Sequence, residues 1–347
     1  MNLMATRGTV AVSFEGVESA IDASEDETLL FAGLHAGLAL PYECASGGCG
    51  SCRAQLIWGS VTSRWDGATG LSERDRRKGD RILMCQSIPL EACQILTPIS
   101  ERASARHEPR PERLTGLLTD RELLCTDTAR FVFTVSDAVN YLPGQFVLLE
   151  FPDGVRRAYS MTRPKSRERP REIELLVRSK PGGAASGWLF DRIEVGDVVV
   201  VEGPYGKAYS QSPTDRPVVC LAGGTGLAPI LAIAEHLRSE SPERRVDVYV
   251  GSRRIEDLVL GDRLMALSDS TTHVVSVIEE TNGELHPLLG QTREGLALDH
   301  LADDWPELGG HDVYVAGPTP MIDAALRKLV RDGTASADRV FFDRFIA

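Results

Sequence analysis

The spacing of hydrophobic residues along the 347-residue chain predicts three structural regions. In residues 1–98, short apolar strands such as TVAVSF accompany one amphipathic stretch, DETLLFAGLHAGL. Its apolar residues recur at i, i+3 and i+4, which is typical of a helix. Ser24 or Asp26 is placed to cap the start of this helix, because short polar side chains accept hydrogen bonds from the first free amides.

The second region alternates apolar and polar positions over short segments that are separated by turn residues. The segments within residues 114–212 are RFVFTVS, GQFVLLEF, IELLVRS and DVVVVEG. Alternation with a period of two indicates strands, so these segments predict an antiparallel barrel. Residues 99–113 precede them, are polar and contain Pro109 and Pro111, and are predicted to be a linker.

In the third region, residues 213–347, buried strands alternate with helical segments. The predicted strands are PVVCLAGG, VDVYVGS, THVVSVIE and DVYVAGP, and the predicted helices include APILAIAEHLR and PMIDAALRKLV. Strands that alternate with helices predict a parallel sheet with right-handed crossovers. We therefore expect a multidomain protein that combines α+β and α/β parts.

Composition and charge exclude several classes of function. Because the chain carries a net charge of −12, we do not expect it to bind nucleic acid through the phosphates. No run of about 18 apolar residues is present, and the N-terminus lacks the apolar core of a signal peptide, so we expect no membrane association and a cytoplasmic location. Cys93, Cys125 and Cys220 are predicted to be free thiols in that reducing compartment.

Four further cysteines indicate a metal centre. Cys44, Cys49 and Cys52 follow the spacing C-x4-C-x2-C, and Cys85 lies far downstream. This pattern predicts a plant-type [2Fe–2S] cluster, because two irons require four thiolates and one short loop can supply three of them. The glycines of ECASGGCGSC suit a tight loop whose amides approach the sulfurs.

Two other uses of these cysteines fit the pattern less well. A thioredoxin-like pair within CGSC expects a βαβ context and leaves Cys44 unexplained. A zinc site usually combines two close doublets, whereas Cys85 stands alone. The spacing therefore favours the iron–sulfur interpretation over both alternatives.

The barrel region contains four short motifs whose order is specific in combination. They are PGQF (143–146), RRAYS (156–160), GAAS (183–186) and GPYG (203–206). Together they resemble the ferredoxin–NADP reductase superfamily. The resemblance implies that Arg157 pairs with the FAD pyrophosphate, that Tyr159 packs on the isoalloxazine, and that Ser160 lies near flavin N5.

The same resemblance extends the predicted flavin site. It implies that Gly183 and Ser186 frame a helix start whose amides face the pyrophosphate, and it adds Val177 from the segment IELLVRS. The chain ends in FFDRFIA, and Phe345 is the candidate for the late aromatic residue that lies near the flavin in relatives. Ser160, Tyr159 and Phe345 are the candidate catalytic residues.

Two glycine-rich motifs in the third region resemble the nucleotide-binding elements of the superfamily. AGGTGLAP follows a predicted strand and leads into a helix, and AGPTPM begins at the end of the last predicted strand, DVYVAGP. Such a turn lets backbone approach a dinucleotide's phosphates. Ala316 stands where the superfamily usually has cysteine beside the nicotinamide, a departure that would slow or reshape the reaction there. The implied nucleotide-binding residues are Gly223, Gly224, Thr225, Gly226, Pro229, Gly317, Pro318 and Met321.

The order of the three regions resembles the reductase components of bacterial multicomponent oxygenases. The resemblance implies a β-grasp plant-type ferredoxin domain (1–98), a linker (99–113), an antiparallel flavin-binding β-barrel (114–212) and a parallel-sheet NAD-binding domain (213–347). It implies an enzyme, an NADH:acceptor oxidoreductase, in which electrons pass from NADH through FAD and a [2Fe–2S] cluster to an oxygenase component.

The resemblance also suggests a class of partner. WDGATGL (65–71) and the FDRF ending most resemble reductases of toluene-type soluble diiron monooxygenases, which act in aromatic hydrocarbon catabolism. Benzoate-type Rieske dioxygenase reductases share the architecture, and reductases of deoxysugar-forming dehydratases are similar. A redox-sensing protein that keeps the cofactors without turnover is a further alternative. We expect a monomer whose partner is a hydroxylase, reached directly or through a separate Rieske ferredoxin.

Charged residues near the end of the third predicted strand indicate the electron donor. Relatives that use NADP carry a Ser and an Arg there, whereas this chain has Glu279 and Glu280. Carboxylates repel a 2′-phosphate and accept hydrogen bonds from a ribose hydroxyl, so NADH is the expected donor. Arg253 and Arg254 oppose this prediction, unless they cap a strand end or hold the pyrophosphate.

Overall fold

A computed structural model of the chain describes residues 8–99, 108–211, 214–281 and 291–346. The chain divides into two compact units, Met1–Glu112 and Arg113–Ala347. Among the described residues, no helix is long and apolar enough to cross a membrane.

The first unit is built on a five-stranded sheet with one buried face. Its elements are β1 (Thr9–Phe14), β2 (Ile21–Ser24), α1 (Leu29–His35), β3 (Arg53–Trp58), β4 (Val61–Ser63), α2 (Glu73–Lys78), β5 (Arg81–Leu83), β6 (Ser87–Pro89) and β7 (Cys93–Leu96). The sheet has the order β2-β1-β7-β3-β5, in which only the central pair β1–β7 is parallel. This is the predicted β-grasp arrangement, and Phe14, Leu30 and Ile95 lie in its core.

The predicted cap of the first helix was wrong. Helix α1 begins after Thr28, whose hydroxyl accepts a hydrogen bond from the Phe31 amide at 3.3 Å. Ser24 is the last residue of β2, and its amide is already bound by the Glu27 carboxylate. Asp26 lies in the intervening turn, two residues before Thr28. The cap must come directly before the first helical residue, where the backbone is still extended, and only Thr28 meets that condition.

The second unit begins with six antiparallel strands and one short helix. They are β8 (Glu112–Cys125), β9 (Thr128–Val135), β10 (Phe146–Glu150), β11 (Arg156–Ser160), β12 (Glu172–Arg178), α3 (Ala184–Gly187) and β13 (Val198–Tyr205). The sheet order is β11-β10-β13-β8-β9-β12, and a bridge between Met161 and Leu175 joins its two edge strands. The sheet therefore closes into the predicted barrel around a core that includes Phe131 and Phe133.

The predicted linker extends too far toward the barrel. Strand β8 starts at Glu112, so Glu112 and Arg113 are strand residues and not linker residues. Most of the predicted linker, residues 100–107, lies outside the described residues.

The remainder of the second unit is a parallel sheet covered by helices on both faces. Its elements are β14 (Val218–Gly223), α4 (Leu227–Glu240), β15 (Val246–Ser252), α5 (Gly261–Leu267), β16 (Thr272–Ile278), β17 (Gln291–Glu294), α6 (Ala297–Asp304), β18 (Asp312–Pro318), α7 (Thr319–Leu326) and β19 (Val340–Phe345). The order is β17-β16-β15-β14-β18-β19, and every pair is parallel. All six residues of β14 are buried, which explains why PVVCLAGG is continuously apolar.

Candidate cofactor-binding sites

The fold brings the four predicted cluster ligands together as two pairs. The Sγ atoms of Cys52 and Cys85 lie 3.2 Å apart, although 33 residues separate them in the sequence. The Cys49 amide donates to the Cys44 sulfur at 3.4 Å, so these two ligands also lie side by side. Since a [2Fe–2S] cluster places two thiolates on each iron, two thiol pairs fit such a group.

The thiols of each pair influence each other's ionisation. A hydrogen bond from Cys49 lowers the pKa of the Cys44 thiol to about 5, whereas the same contact, together with burial, raises the pKa of Cys49. A hydrogen bond from Cys85 likewise lowers the pKa of Cys52. Each pair therefore contains one sulfur that ionises readily, which favours metal binding because the thiolate is the ligand form.

A second segment, WDGATGL (65–71), packs against the cysteine-bearing loop. The Gly70 amide donates to the Gly47 carbonyl at 2.9 Å, and a Cβ on Gly50 would lie 2.6 Å from the Gly70 carbonyl oxygen. Gly47 and Gly50 both have positive φ angles, of 90° and 79°, which glycine adopts without strain. The side chain of Arg76 in α2 donates to the carbonyls of Asp66 and Ala68 and so anchors the second segment. Sequence reasoning did not identify this support.

Strand β11 positions the three predicted flavin-binding residues within one short stretch. Ser160 donates its hydroxyl hydrogen to the Asp343 carboxylate at 2.6 Å, and Arg157 donates to the Ile346 carbonyl. Tyr159 is half-buried against the barrel core, and burial raises the pKa of its hydroxyl. The C-terminal strand β19 therefore lies beside β11, and Asp343 becomes a candidate site residue that the sequence analysis did not identify, although it lies within FFDRF.

The two arginines of RRAYS have different partners, and the difference shows which of them could bind an anionic cofactor. Arg156 is held by the carboxylates of Glu150 and Glu202, and its side chain is 7% exposed. Among the described residues, Arg157 has a backbone carbonyl and no carboxylate as its partner. A guanidinium whose positive charge is not paired with a carboxylate fits the pyrophosphate of FAD.

The other predicted flavin residues differ in what they offer. Gly183 precedes the first residue of α3, and no side chain caps that helix start. Ser186 accepts from the Lys180 amide at 3.0 Å, so its hydroxyl fixes the turn itself. The Val177 side chain is 2% exposed and packs in the barrel core. Phe345 is half-buried on β19, where its carbonyl accepts from the Thr319 hydroxyl at 3.1 Å.

A cavity of about 450 Å³ lies at the carboxyl ends of the parallel strands, where α/β sheets bind ligands. Both predicted glycine-rich motifs reach it, because β14 and β18 are neighbours in the sheet. Thr128 and Arg178 of the barrel also line it, and no local motif would have identified them. The predicted nucleotide-binding residues that line the cavity are Gly223, Gly224, Thr225, Pro318 and Met321.

The remaining predicted nucleotide residues shape the cavity without lining it. A Cβ on Gly226 would lie 2.1 Å from the Ala316 carbonyl oxygen, so this glycine permits the two turns to meet. Gly317 has a φ of 148°, and a Cβ there would lie 2.8 Å from the Met321 methyl carbon. Pro229 is buried in the first turn of α4, where a helix tolerates proline because that N–H has no intrahelical partner. The close approach of backbone to backbone fits a dinucleotide site.

A buried ion network connects the barrel with the parallel sheet of the same unit. Arg263 of α5 donates to the Glu174 carboxylate at 2.8 Å and to the Thr162 carbonyl at 2.9 Å. It also binds Glu235 of α4. Burial raises the pKa of Glu174, but a hydrogen bond from Arg163 and the neighbouring guanidinium charges lower it overall. The network holds the flavin-binding strands in a defined position relative to the nucleotide cavity.

Comparison with known proteins finds the same three kinds of domain in the same order. The model of the 2Fe-2S iron-sulfur cluster binding domain matches residues 12–90. The oxidoreductase FAD-binding domain matches residues 115–209, and the oxidoreductase NAD-binding domain matches residues 220–327.

Full-length relatives have the same organisation. The ferredoxin–NAD(+) reductase component of the alkene monooxygenase system of Xanthobacter autotrophicus is 42% identical over 92% of this chain and 96% of that protein. The xylene/toluene monooxygenase electron transfer component XylA of Pseudomonas putida is 31% identical over 97% of this chain and 93% of that protein. A solved structure of the ferredoxin reductase in carbazole 1,9a-dioxygenase has a TM-score of 0.86 and 32% identity, covering 98% of this chain and 100% of that chain.

The fold and its sites define an iron–sulfur flavoprotein oxidoreductase that uses a [2Fe–2S] cluster, FAD and NAD. The chain belongs to the ferredoxin–NAD reductase components of oxygenase systems, within the ferredoxin–NADP reductase superfamily. The predicted family, fold class and cofactors are thereby confirmed.

Proposed function

We propose that this protein oxidises NADH and delivers the electrons to the diiron hydroxylase of an alkene or aromatic monooxygenase system. The observation that carries the proposal is the combination, in one chain, of a paired-thiol cluster site with a flavin-binding barrel and a nucleotide cavity. The 42% identity to an alkene monooxygenase reductase supports this class of hydroxylase.

The cofactors and the protein contribute different parts of the reaction. When bound, NADH supplies two electrons together, FAD accepts them as a pair and releases them singly, and the [2Fe–2S] cluster carries one at a time. The protein provides binding, orientation and access.

At the flavin site, we assign Arg157 to the pyrophosphate because its guanidinium has no carboxylate partner among the described residues. Ser160 directs its hydroxyl proton at Asp343, so the lone pairs of its oxygen are free to face the flavin edge. Tyr159 keeps its proton because burial raises its pKa, and it offers a neutral ring for stacking. In this proposal Phe345 covers the flavin from the C-terminal strand.

At the nucleotide site, the turn from Gly223 to Gly226 presents backbone at the cavity and leads directly into α4. A 3₁₀ turn, Gly224–Gly226, leads into this 14-residue helix, and no side chain caps its start, so the amides of the turn can face a phosphate. A Cβ on Gly224 would meet no atom closer than 4.0 Å, which places this part of the backbone in the open cavity. Pro318 and Met321 line the cavity directly beside Gly223, where the nicotinamide would lie.

We propose that electrons leave the protein at Cys49. It is partly exposed, whereas Cys44, Cys52 and Cys85 are buried. Trp65 on the supporting segment is 47% exposed, and an exposed tryptophan is a typical anchor at protein interfaces. Residues 53–81 carry seven basic and four acidic side chains in an otherwise acidic chain, so the hydroxylase surface that meets them should be acidic.

The domain limits that we propose are residues 1–98, 112–212 and 213–347, with a linker of residues 99–111, because strand β8 begins at Glu112. We further propose that the protein is a monomer that acts in the cytoplasm. Its seven free cysteines, including three beyond the cluster ligands, support a reducing compartment.

The reductase of a Rieske ring-hydroxylating dioxygenase is the second candidate function. The similarity to the reductase of carbazole 1,9a-dioxygenase, with a TM-score of 0.86, supports it. In that case the acceptor at Cys49 would be a Rieske protein or a separate ferredoxin.

Reconstitution decides between the two functions. The purified protein, loaded with iron, sulfide and FAD, is mixed with NADH and either an alkene monooxygenase hydroxylase or a Rieske oxygenase, each lacking its own reductase. We expect product from the hydroxylase, and no product when Cys49→Ser replaces the wild type. Product from the Rieske oxygenase alone would favour the second candidate, and failure to oxidise NADH would contradict both.

A further inference from the structure

Two charged dipeptides lie side by side at the edge of the nucleotide cavity. Arg253 and Arg254 follow β15, and Glu279 and Glu280 follow β16, the parallel neighbour of β15. The backbone fixes their register, because the Glu280 amide donates to the Arg253 carbonyl at 2.8 Å. The juxtaposition therefore does not depend on the flexible side chains alone.

One carboxylate serves both arginines. The Nε atom of Arg253 lies 2.6 Å from one carboxylate oxygen of Glu280, and the Nε atom of Arg254 lies 3.2 Å from the other. These hydrogen bonds lower the pKa of Glu280, so the carboxylate stays charged over the physiological range. Glu280 thus occupies two guanidinium groups that would otherwise be free to bind an anion.

The charges at this edge of the cavity are unfavourable for an additional phosphate. Arg253, Glu279 and Asp257 line the cavity, and Arg254 and Glu280, which do not line it, are joined to Arg253 through the Glu280 carboxylate. These five side chains carry two positive and three negative charges. A 2′-phosphate on the ribose would meet a net negative surface and would have to compete with Glu280 for both arginines.

We infer that Glu280 determines the preference for NADH over NADPH by occupying Arg253 and Arg254, an arginine pair that would otherwise bind a 2′-phosphate. The inference rests on the proposed use of NADH and goes beyond simple repulsion, because it assigns the selectivity to one residue acting through two others. The arginine side chains are 64% and 54% exposed, so the pairing is weak and contributes little to stability. A weak pairing is one that a single substitution can release without unfolding the protein.

The test uses Glu280→Ala in the full-length, FAD-loaded protein, with Glu256→Ala as the control. Glu256 is an exposed carboxylate two residues beyond Arg254 that does not line the cavity. Calorimetry measures binding of adenosine 2′,5′-bisphosphate and of AMP, which differ only in the 2′-phosphate. Because two charge-assisted bonds become available, we expect Glu280→Ala to bind the bisphosphate about tenfold more tightly than the wild type does.

AMP affinity should stay within about twofold, because AMP has no group that reaches the released arginines. Replacing Arg253 and Arg254 by alanine in the Glu280→Ala background should remove the gain. The ratio of kcat/KM for NADPH to that for NADH should rise in parallel with bisphosphate affinity.

Three results would overturn the inference. They are an unchanged bisphosphate affinity in Glu280→Ala, an equal gain in Glu256→Ala, and a gain that survives removal of both arginines. The binding measurements do not require turnover. A wild-type protein that fails to oxidise NADH would therefore count against the proposed function, while the binding data would still decide the role of Glu280.

Discussion

Gly226→Ala should damage the nucleotide site through a purely steric effect. A Cβ at this position would lie 2.1 Å from the Ala316 carbonyl oxygen, 2.5 Å from its carbon and 2.8 Å from the Cα of Gly317. The φ angle of Gly226 is −59°, which alanine adopts without strain, so the backbone conformation itself is not the obstacle. All three contacts are with backbone atoms, which cannot rotate away as a flexible side chain would.

The contact distances set the size of the effect. Since non-bonded carbon atoms are comfortable at about 3.5 Å, the turn and β18 would have to separate by roughly 1 Å. Overpacking of this kind costs about 1–3 kcal/mol, and we expect the upper end because backbone lies on both sides. A loss of about 3 kcal/mol corresponds to a fall in Tm of roughly 6–12 °C for a domain of this size. A displacement of this size near the chemistry lowers kcat/KM by about a hundredfold.

The assay combines NADH-dependent ferricyanide reduction with calorimetry and a measurement of bound FAD. The variant should lose kcat/KM for NADH and melt earlier while retaining FAD, because Arg157, which we assign to the FAD pyrophosphate, lies on barrel strand β11. Gly309→Ala is the matched control, because a Cβ there meets no atom within 4 Å. A Gly226→Ala protein with wild-type Tm and wild-type kinetics would refute the claim that the two turns meet this closely.

The remaining predictions concern the cluster and the flavin. Cys49→Ser should abolish NADH-dependent reduction of cytochrome c but preserve ferricyanide reduction, which draws on the flavin; loss of both activities in a folded protein would contradict separate roles. Arg157→Ala should weaken FAD binding by about tenfold or more, because a charge-assisted bond is lost; unchanged flavin content after dialysis would exclude it as a pyrophosphate ligand. Asp343→Ala should lower kcat at constant KM for NADH by freeing the Ser160 hydroxyl; an unchanged kcat would argue against this positioning.

Segments whose shape depends on local chain geometry could be predicted from the sequence. The spacing of Cys44, Cys49 and Cys52 allows one loop to wrap a cluster, and that loop forms as expected. The turn at Gly223 to Gly226 lies between a buried strand and a helix, as the apolar pattern indicated. In both segments the relevant atoms are close in sequence, so the motif itself limits the possible geometries.

Residues that act through partners distant in sequence could not be predicted in the same way. Asp343 meets Ser160 across 183 residues, and Arg263 meets Glu174 across 89. Charged residues of these types occur throughout the chain, and nothing local distinguishes those that become paired. Even the helix cap was misplaced by local reasoning, because several polar residues precede α1 and the end of β2 decides which of them is used.

The sequence alone therefore determined the cluster motif and the order of the three regions, because periodicity and spacing constrain nearby backbone directly. The flavin and the nucleotide were implied by the resemblance of its motifs to those of the reductase superfamily. The tertiary structure decided which distant groups meet: Cys85 beside Cys52, and Glu280 between two arginines. The physical reason is that strand order and register bring such groups within hydrogen-bonding distance. In the parallel sheet, β15 and β16 are neighbours, and this adjacency places the acidic dipeptide against the basic one.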